Sequence, residues 1–154
     1  MNEPQQGVPE AGAHRLPVSK LRGVPQMARV RLKSLRITTC GQLLAAAATP
    51  VGRERLAAAT GMDPALLLQL VRRADLARIK GIGTVFGLML EALGVDDVGR
   101  LARQDATALH RALLGFNQAE RLARRSPTPG EVAEWVEAAR NMRHFVIETP
   151  PATD

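Results

Sequence analysis

Aromatic residues and cysteine are scarce in this chain of 154 residues. Only 3% of the residues are aromatic, tyrosine is absent, and there is a single cysteine. Strands draw on aromatic and β-branched side chains, whereas the Ala and Leu that dominate here favour helices. The composition therefore predicts an all-α fold. A single cysteine also excludes an internal disulfide framework and a cysteine-based zinc site.

Three further absences narrow the function. No apolar run approaches the roughly 18 residues of a membrane span, and the N-terminus lacks the basic-then-apolar order of a secretory signal. The three histidines show no ligand spacing, and His110 is interpreted as an ordinary helix residue. Cys40 is interpreted as a small buried hydrophobe. Gly81-Ile82-Gly83 lacks the Gly-Lys-Ser/Thr ending of a nucleotide-binding loop. We therefore expect a cytoplasmic protein with no membrane contact, no metal and no catalytic activity.

The charge of the chain is positive and unevenly distributed. The 21 Lys and Arg residues, 18 of them Arg, outnumber 15 acidic residues, which gives a formal net charge of +6. Residues 16–75 carry ten cations and three anions, a net +7, whereas residues 126–154 carry two cations and five anions, a net −3. A basic surface in the first half is typical of proteins that bind polyanions.

The chain also contains an internal repeat. At an offset of 58 residues, Leu21-Arg-Gly-Val-Pro25 aligns with Ile79-Lys-Gly-Ile-Gly83. The alignment continues with Leu32 on Leu90, Leu35 on Leu93, Ile37 on Val95, Gly41 on Gly99 and Leu43 on Leu101. Repetition at a fixed offset indicates duplicated supersecondary units. The predicted organisation is a disordered arm at 1–15, a first unit at 16–75, a second at 76–143 and a tail at 144–154.

Capping signals place the helices. Asp63-Pro64 and Thr128-Pro129 predict helix starts, because Pro is well suited to the first helical position, and Thr128 with Glu131 predicts a capping box. Gly61 and Gly94 predict helix ends. Helices are expected, among others, at 76–80, 84–93 and 106–114.

The segment from Leu76 to Leu93 resembles a helix-hairpin-helix motif, in which Gly-apolar-Gly turns the chain between two helices. Glycines allow a tight turn and close approach of a ligand, and the N-terminus of the second helix attracts anions. We expect Gly81, Ile82, Gly83 and Thr84 to form a phosphate site, with Lys80 and Arg78 adding positive charge and Ile82 anchored in the core. In that family the hairpin binds the DNA backbone without reading bases, sometimes with a monovalent cation held by main-chain oxygens.

The resemblance extends over residues 16–142. The order Gly-Ile-Gly, Leu-Gly-Val-Asp-Asp-Val, Leu-Ala-Arg-Gln-Asp and Ser-Pro-Thr-Pro-Gly-Glu-Val-Ala-Glu-Trp-Val resembles the bacterial DUF4332 family, and so do Leu35-Arg-Ile-Thr-Thr and Ala74-Asp-Leu-Ala-Arg-Ile-Lys-Gly in the first half. This family has no established role. The resemblance implies two tandem helix-hairpin-helix units, pseudo-duplicated and packed as one compact domain.

The two repeats differ in a way that bears on binding. Pro25 stands where the second hairpin has Gly83, and it has no N–H to offer a phosphate. The first repeat instead has Arg22 and Gly23 at the turn, followed by a predicted basic stripe at helical spacing, formed by Gln26, Arg29, Lys33 and Arg36.

The sequence thus predicts non-catalytic, sequence-independent binding of a nucleic-acid backbone, most readily duplex DNA. The scarcity of aromatics argues against single-strand binding by base stacking. The alternative is an adaptor for another protein, which would use the apolar side of the helix at 84–93, formed by Val85, Leu88, Met89 and Ala92, or the tail at 144–149. The oligomeric state is left open.

Overall fold

The computed structural model of the chain describes residues 15–142 and residue 146. The predicted arm, apart from Arg15, and the tail, apart from Val146, lie outside these residues, as do His14 and His144. The described residues contain helices and one isolated β-bridge, between Pro17 and Thr39, and no strand. The predicted all-α class is confirmed.

A short 3-10 helix at Val18–Lys20 is followed by eight α-helices within the described part of the chain. They are α1 Gln26–Ser34, α2 Cys40–Ala47, α3 Pro50–Thr60, α4 Pro64–Leu76, α5 Gly83–Ala92, α6 Val98–Ala102, α7 Ala106–Glu120 and α8 Pro129–Asn141.

The capping predictions hold. Asp63 and Thr128 accept hydrogen bonds from the first turns of α4 and α8, and Thr128 forms a complete capping box with Glu131. Gly61 ends α3 in the left-handed conformation, with φ 75°, and Gly94 follows α5 with φ 84°.

Two of the helix predictions are wrong: one helix does not form, and another is longer than predicted. No helix forms at 76–80: α4 ends at Leu76, and the next residues form turns in which Ala77 N donates to Arg73 O. The predicted helix at 106–114 continues to Glu120, because Gly115 lies within the helix and the chain leaves it only at Arg121, with φ 54°.

Contacts divide the chain into two compact units, with the boundary between Arg78 and Ile79. The boundary expected from the sequence lay between residues 75 and 76. In the first unit, α2 packs on α3 and α4, and α1 packs on α3. Its core is built from fully buried aliphatic side chains, among them Leu32, Leu43, Leu44, Leu67 and Leu70, and Val146 packs against it.

The second unit is arranged from α5 to α8. Here α6 and α7 both pack on α8, and α5 packs on α7. Its buried residues include Leu90, Leu101, Leu113, Val132 and Trp135. The helical stripe of α8 that contains Trp135 is therefore part of the core.

Positions related by the sequence repeat show the same local backbone structure. Ile37 N donates to Leu32 O at 2.9 Å, and at the 58-residue offset Val95 N donates to Leu90 O at 2.8 Å. The residue before each donor is left-handed, Arg36 with φ 64° and Gly94 with φ 84°. Both helices thus end in the same hydrogen-bonded turn, which contains a left-handed residue. The description of each unit as a helix-hairpin-helix stays a prediction.

Candidate nucleic-acid interface

The turn at Gly81-Ile82-Gly83 lies open to solvent, with one residue anchored inside. Lys80, Gly81, Gly83 and Thr84 are exposed, whereas Ile82 is only 2% exposed. Gly81 and Gly83 have φ values of 94° and 63°, a region that strains any residue with a Cβ. The predicted anchoring of Ile82 is confirmed, and the buried isoleucine holds an exposed backbone turn in place.

Helix α5 begins without a side-chain cap. Six of the eight α-helices in the described part of the chain start with a Thr or Asp whose side chain accepts a backbone N–H. The residue before α5 is Ile82, which has no such acceptor, and the residue before α1 is Pro25. The first N–H groups of any helix lack intrahelical partners. The start of α5 therefore offers exposed donors at the positive end of a helix dipole.

An open groove of about 480 Å³ lies between the start of α5 and the loop at 122–125. Its walls combine cationic and apolar groups: Arg124 is exposed, and Val85 and Leu122 are 40% and 47% exposed. The groove is lined by Gly81, Ile82, Gly83, Thr84, Val85, Phe86, Leu122, Ala123, Arg124 and Arg125. No carboxylate belongs to this lining, so the groove suits an anion.

The loop opposite α5 is held by Asn117, which is 8% exposed near the end of α7. Its side-chain oxygen accepts from Ala123 N at 2.9 Å, and its amide nitrogen donates to Ala123 O at 3.2 Å and to Ser126 Oγ at 3.3 Å. The side chain thereby satisfies both backbone groups of one loop residue. The backbone of the loop is therefore held beside Arg124 and Arg125.

Arg125 is fixed by an ion pair at the far end of this loop. Its guanidinium donates to both carboxylate oxygens of Glu131, at 2.7 and 2.8 Å, and lies 5.5 Å from the ring centroid of Phe86. Hydrogen bonds from Arg125 and from Thr128 N lower the pKa of Glu131 to about 2. Arg125 is therefore paired with a carboxylate of the protein itself.

An aromatic pair connects the loop to the glycine turn. The rings of Phe86 and Trp135 are tilted, with centroids 5.5 Å apart. A Cβ added at Gly81 would lie 3.3 Å from Trp135 Nε1. Both the backbone conformation and the neighbouring indole therefore require glycine at position 81. The aromatic pair lies beside both walls of the groove, with Trp135 next to the glycine turn and Phe86 next to Arg125 of the loop.

Arg78 does not have the role that the sequence predicted. Its guanidinium pairs with Asp75 at 2.8 Å, and its side chain is only 3% exposed. A buried, paired guanidinium contributes little to the surface potential. The expectation that Arg78 supplies exposed charge beside the hairpin is wrong, because Asp75, three residues earlier on α4, engages it. Lys80 remains the exposed cation at the turn.

The predicted basic residues of the first unit are exposed but do not form one stripe. Arg29 and Lys33 line an open groove of about 310 Å³ on α1, and Arg29 donates to Gln26 at 3.2 Å. The predicted helical stripe is wrong at Arg36, because α1 ends at Ser34 and Arg36 has φ 64°. Arg36 therefore lies beyond the helix and does not continue its face.

The turn of the first unit is closed by a contact from α4. Gly23 has φ 82°, and the carbonyl of Arg22 accepts a hydrogen bond from Arg73. A Cβ at Gly23 would lie 2.8 Å from Arg73 Nη1. A guanidinium of the protein itself occupies this side of the turn at Gly23. The side chain of Arg22 is exposed.

The apolar surface expected for a protein partner is not uniformly accessible. Met89 is fully buried and Leu88 is half-buried, whereas Val85 and Ala92 are exposed. These four residues therefore do not form one exposed apolar face.

Cys40 and His110 lie outside the groove. Burial raises the pKa of the Cys40 thiol to about 12, in keeping with the predicted buried hydrophobe. His110 is half-buried on α7. Within 15–142 no group of three or more His, Cys, Asp and Glu side chains could hold a metal ion, and no helix is long and apolar enough to cross a membrane.

A monovalent cation at the hairpin would be bound by main-chain oxygens, and one of these oxygens already accepts a hydrogen bond. Ile79 O accepts a hydrogen bond from Ile82 N at 3.4 Å.

Residues 22–142 match the family described as Domain of unknown function (DUF4332). The match covers most of the chain, which therefore belongs to this family, as the sequence motifs indicated. No curated protein and no solved structure matches.

Sequence reasoning missed the residues that build the second wall of the groove. Asn117, Arg124, Arg125 and Glu131 come from α7, the following loop and α8. The run Arg121-Leu-Ala-Arg-Arg125, placed just before the Thr128 helix start, was the available signal. Its position opposite α5 depends on long-range packing, which the local pattern does not reveal.

Proposed function

We propose that this protein binds the sugar-phosphate backbone of duplex DNA without sequence preference and without catalysis, in the bacterial cytoplasm. The phosphate would lie at the first turn of α5, where the N–H groups of Gly83, Thr84 and Val85 have no side-chain acceptor. The observation that carries the proposal is that this exposed, uncapped turn borders a groove whose opposite wall carries guanidinium groups.

The groups that line the groove favour binding of the sugar-phosphate backbone of DNA over binding of a base. Helix N-termini bind phosphates through N–H groups and the dipole, and contacts of this kind position a protein on nucleic acid without reading sequence. Lys80 and Thr84 are exposed beside the turn and add a charge and a hydroxyl. The exposed cations of the first unit, Arg22, Arg29 and Lys33, would add salt-sensitive affinity.

The test is a salt titration of a labelled duplex of arbitrary sequence, followed by fluorescence anisotropy. Each neutralised phosphate should contribute about −0.9 to the slope of log affinity against log salt concentration. The informative variant is Thr84→Glu, with Thr84→Gln as its neutral control. A carboxylate in the first turn of α5 favours the helix by about 0.3–1 kcal/mol, so the fold is preserved while phosphate is repelled.

We expect Thr84→Glu to melt at or above the wild-type temperature and to bind the duplex about tenfold more weakly, a loss of about 1.4 kcal/mol. Thr84→Gln should bind nearly as well as wild type. Equal affinity of the Glu and Gln variants would contradict a phosphate at this helix start. Absence of wild-type binding at about 50 mM salt would contradict nucleic-acid binding as a whole.

The second candidate is the adaptor function, favoured by exposed apolar side chains on α1. Met27 and Val30 are 59% and 54% exposed and lie three residues apart, on one face of the helix. If the duplex does not bind, substitution of these two residues by Ser in a protein pull-down becomes the test of this function.

A further inference from the structure

The loop that follows α7 carries two neighbouring arginines with different surroundings. Arg125 is held by both oxygens of Glu131. Arg124 is exposed, lines the groove and has no hydrogen-bond or ion-pair partner for its side chain within residues 15–142. One arginine is therefore paired with a carboxylate of the protein, and the other presents an unpaired guanidinium to the groove.

Both walls of the groove are held rigidly. Asn117 binds Ala123 through its backbone N–H and its carbonyl, immediately before Arg124. On the opposite wall, buried Ile82 anchors the turn that starts α5. Because buried groups hold the backbone on both sides, a ligand between them meets the N–H groups of α5 on one side and Arg124 on the other.

The apolar part of the lining indicates what kind of anion fits. Val85 and Leu122 are both more than a third exposed and lie within the same groove. A free phosphate would leave these apolar surfaces facing water. A sugar-phosphate strand alternates charged phosphates with less polar deoxyribose faces, and it suits a groove whose lining combines N–H donors, aliphatic side chains and a guanidinium.

From this arrangement we infer that Arg124 makes a second phosphate contact across the groove from α5, so that one strand of the duplex passes between the loop and the helix start. Arg125 fixes the loop and does not contact the phosphate. This inference rests on the proposed function and deepens it, because it identifies a ligand residue outside the glycine turn.

The experiment compares Arg124→Ala, Arg125→Ala and Arg111→Ala in the full chain, again by anisotropy with a labelled duplex over a range of salt concentrations. Arg111 is an exposed arginine of α7 outside the groove lining, so its variant controls for the loss of one positive charge in the same unit. Inorganic phosphate and polyglutamate, each at matched ionic strength, serve as competitors. Thermal melting checks that each variant is folded.

For Arg124→Ala we expect an unchanged melting temperature, a salt slope less steep by about 0.9, and affinity about tenfold lower. Arg124→Lys should retain the slope, and Arg111→Ala should retain both slope and affinity. Arg125→Ala should retain the slope while melting at a lower temperature. Neither competitor should displace the duplex efficiently.

Each contrary outcome overturns a distinct statement. If wild type binds the duplex and Arg124→Ala behaves like Arg111→Ala, the second contact is wrong while the proposed function stands. If Arg125→Ala reduces the slope as much as Arg124→Ala does, the assignment of roles within the loop is wrong. Efficient displacement by polyglutamate would indicate an acidic polypeptide as the ligand, and displacement by inorganic phosphate would indicate a small-anion site. No duplex binding by wild type would overturn both proposals.

Discussion

The two units begin equivalent helices in different ways. Helix α1 follows Pro25, which has φ −63° and ψ 149°, and helix α5 follows Ile82, which has φ −73° and ψ −50°. Neither start has a side-chain cap. In the first unit a guanidinium of the protein, from Arg73, lies against the turn, whereas in the second unit the turn opens on a groove. Similar sequence segments thus differ at the turn before the helix: a guanidinium of the protein contacts it in the first unit, and an open groove borders it in the second.

Two arginines of the first unit bind backbone carbonyls of the protein, so a count of charges alone does not describe its surface. In the first unit Arg31 donates to Thr60 O at 2.6 Å, and Arg53 donates to the carbonyls of Ala47 and Ala48, both at 3.1 Å. These arginines bind carbonyls at the ends of α3 and α2, which lack intrahelical donors. Arg31 is exposed but Arg53 is buried, so not all ten cations of residues 16–75 lie at the surface.

The largest effect is expected at an arginine that serves the fold. Arg53 is 6% exposed, and Arg53→Ala would leave the carbonyls of Ala47 and Ala48 without their donor. Hydrogen bonds to charged groups contribute about 1.5–3 kcal/mol each, so we expect the free energy of unfolding to fall by about 3 kcal/mol in urea denaturation. Arg55→Ala, at an exposed position of the same helix, should change it by less than about 0.5 kcal/mol. Equal effects of the two variants would contradict the distinction between arginines that stabilise the fold and arginines at the surface.

A smaller effect is expected from exchanging the helix ends of the two units. Gly94→Ala forces a Cβ into a left-handed backbone but meets no atom within 4 Å, so the cost is conformational, about 1 kcal/mol. The reverse change, Arg36→Gly, relieves that strain in the first unit and should raise stability by about 0.5 kcal/mol, since glycine also loosens the unfolded chain. Chemical denaturation measures both. Destabilisation by Arg36→Gly would show that the arginine side chain itself stabilises the turn.

The smallest effect concerns acid stability in the second unit. The pKa of Glu131 is lowered from its ordinary value of 4.5 to about 2 by Arg125 and by the N–H of Thr128. A lowered folded-state pKa stabilises the protein above the unfolded value, and this contribution is lost as the pH falls from about 4.5 to about 2. We expect the melting temperature of Glu131→Gln to fall less steeply than that of wild type over this range. Parallel curves would contradict a functional ion pair in the loop.

The sequence predicted the local features of this fold well, because they depend on short-range chemistry. Asp63, Thr128 and Glu131 lie at their helix starts as expected. Each of these caps depends on residues within one helical turn, so it can be predicted from the local sequence.

The site was less predictable, because its components are distant in the sequence. The turn at Gly81–Gly83 was recognisable, but the opposite wall comes from residues 122–125, about 40 positions later. The engagement of Arg31 by Thr60 and of Arg73 by Arg22 involves separations of 29 and 51 residues. A charge count does not distinguish arginines that hold backbone carbonyls of the protein from those that do not, and only tertiary packing shows these contacts.

The central claim, that the start of α5 is the phosphate contact and the start of α1 is not, is tested most directly by amide chemical-shift changes during titration with a short DNA duplex. The account predicts that the largest shifts occur at the backbone N–H groups of Gly83, Thr84 and Val85, with a smaller group at Ala123 and Arg124. The amides of residues 26–28 should move little. Shifts concentrated at 26–28, with the start of α5 unaffected, would contradict it.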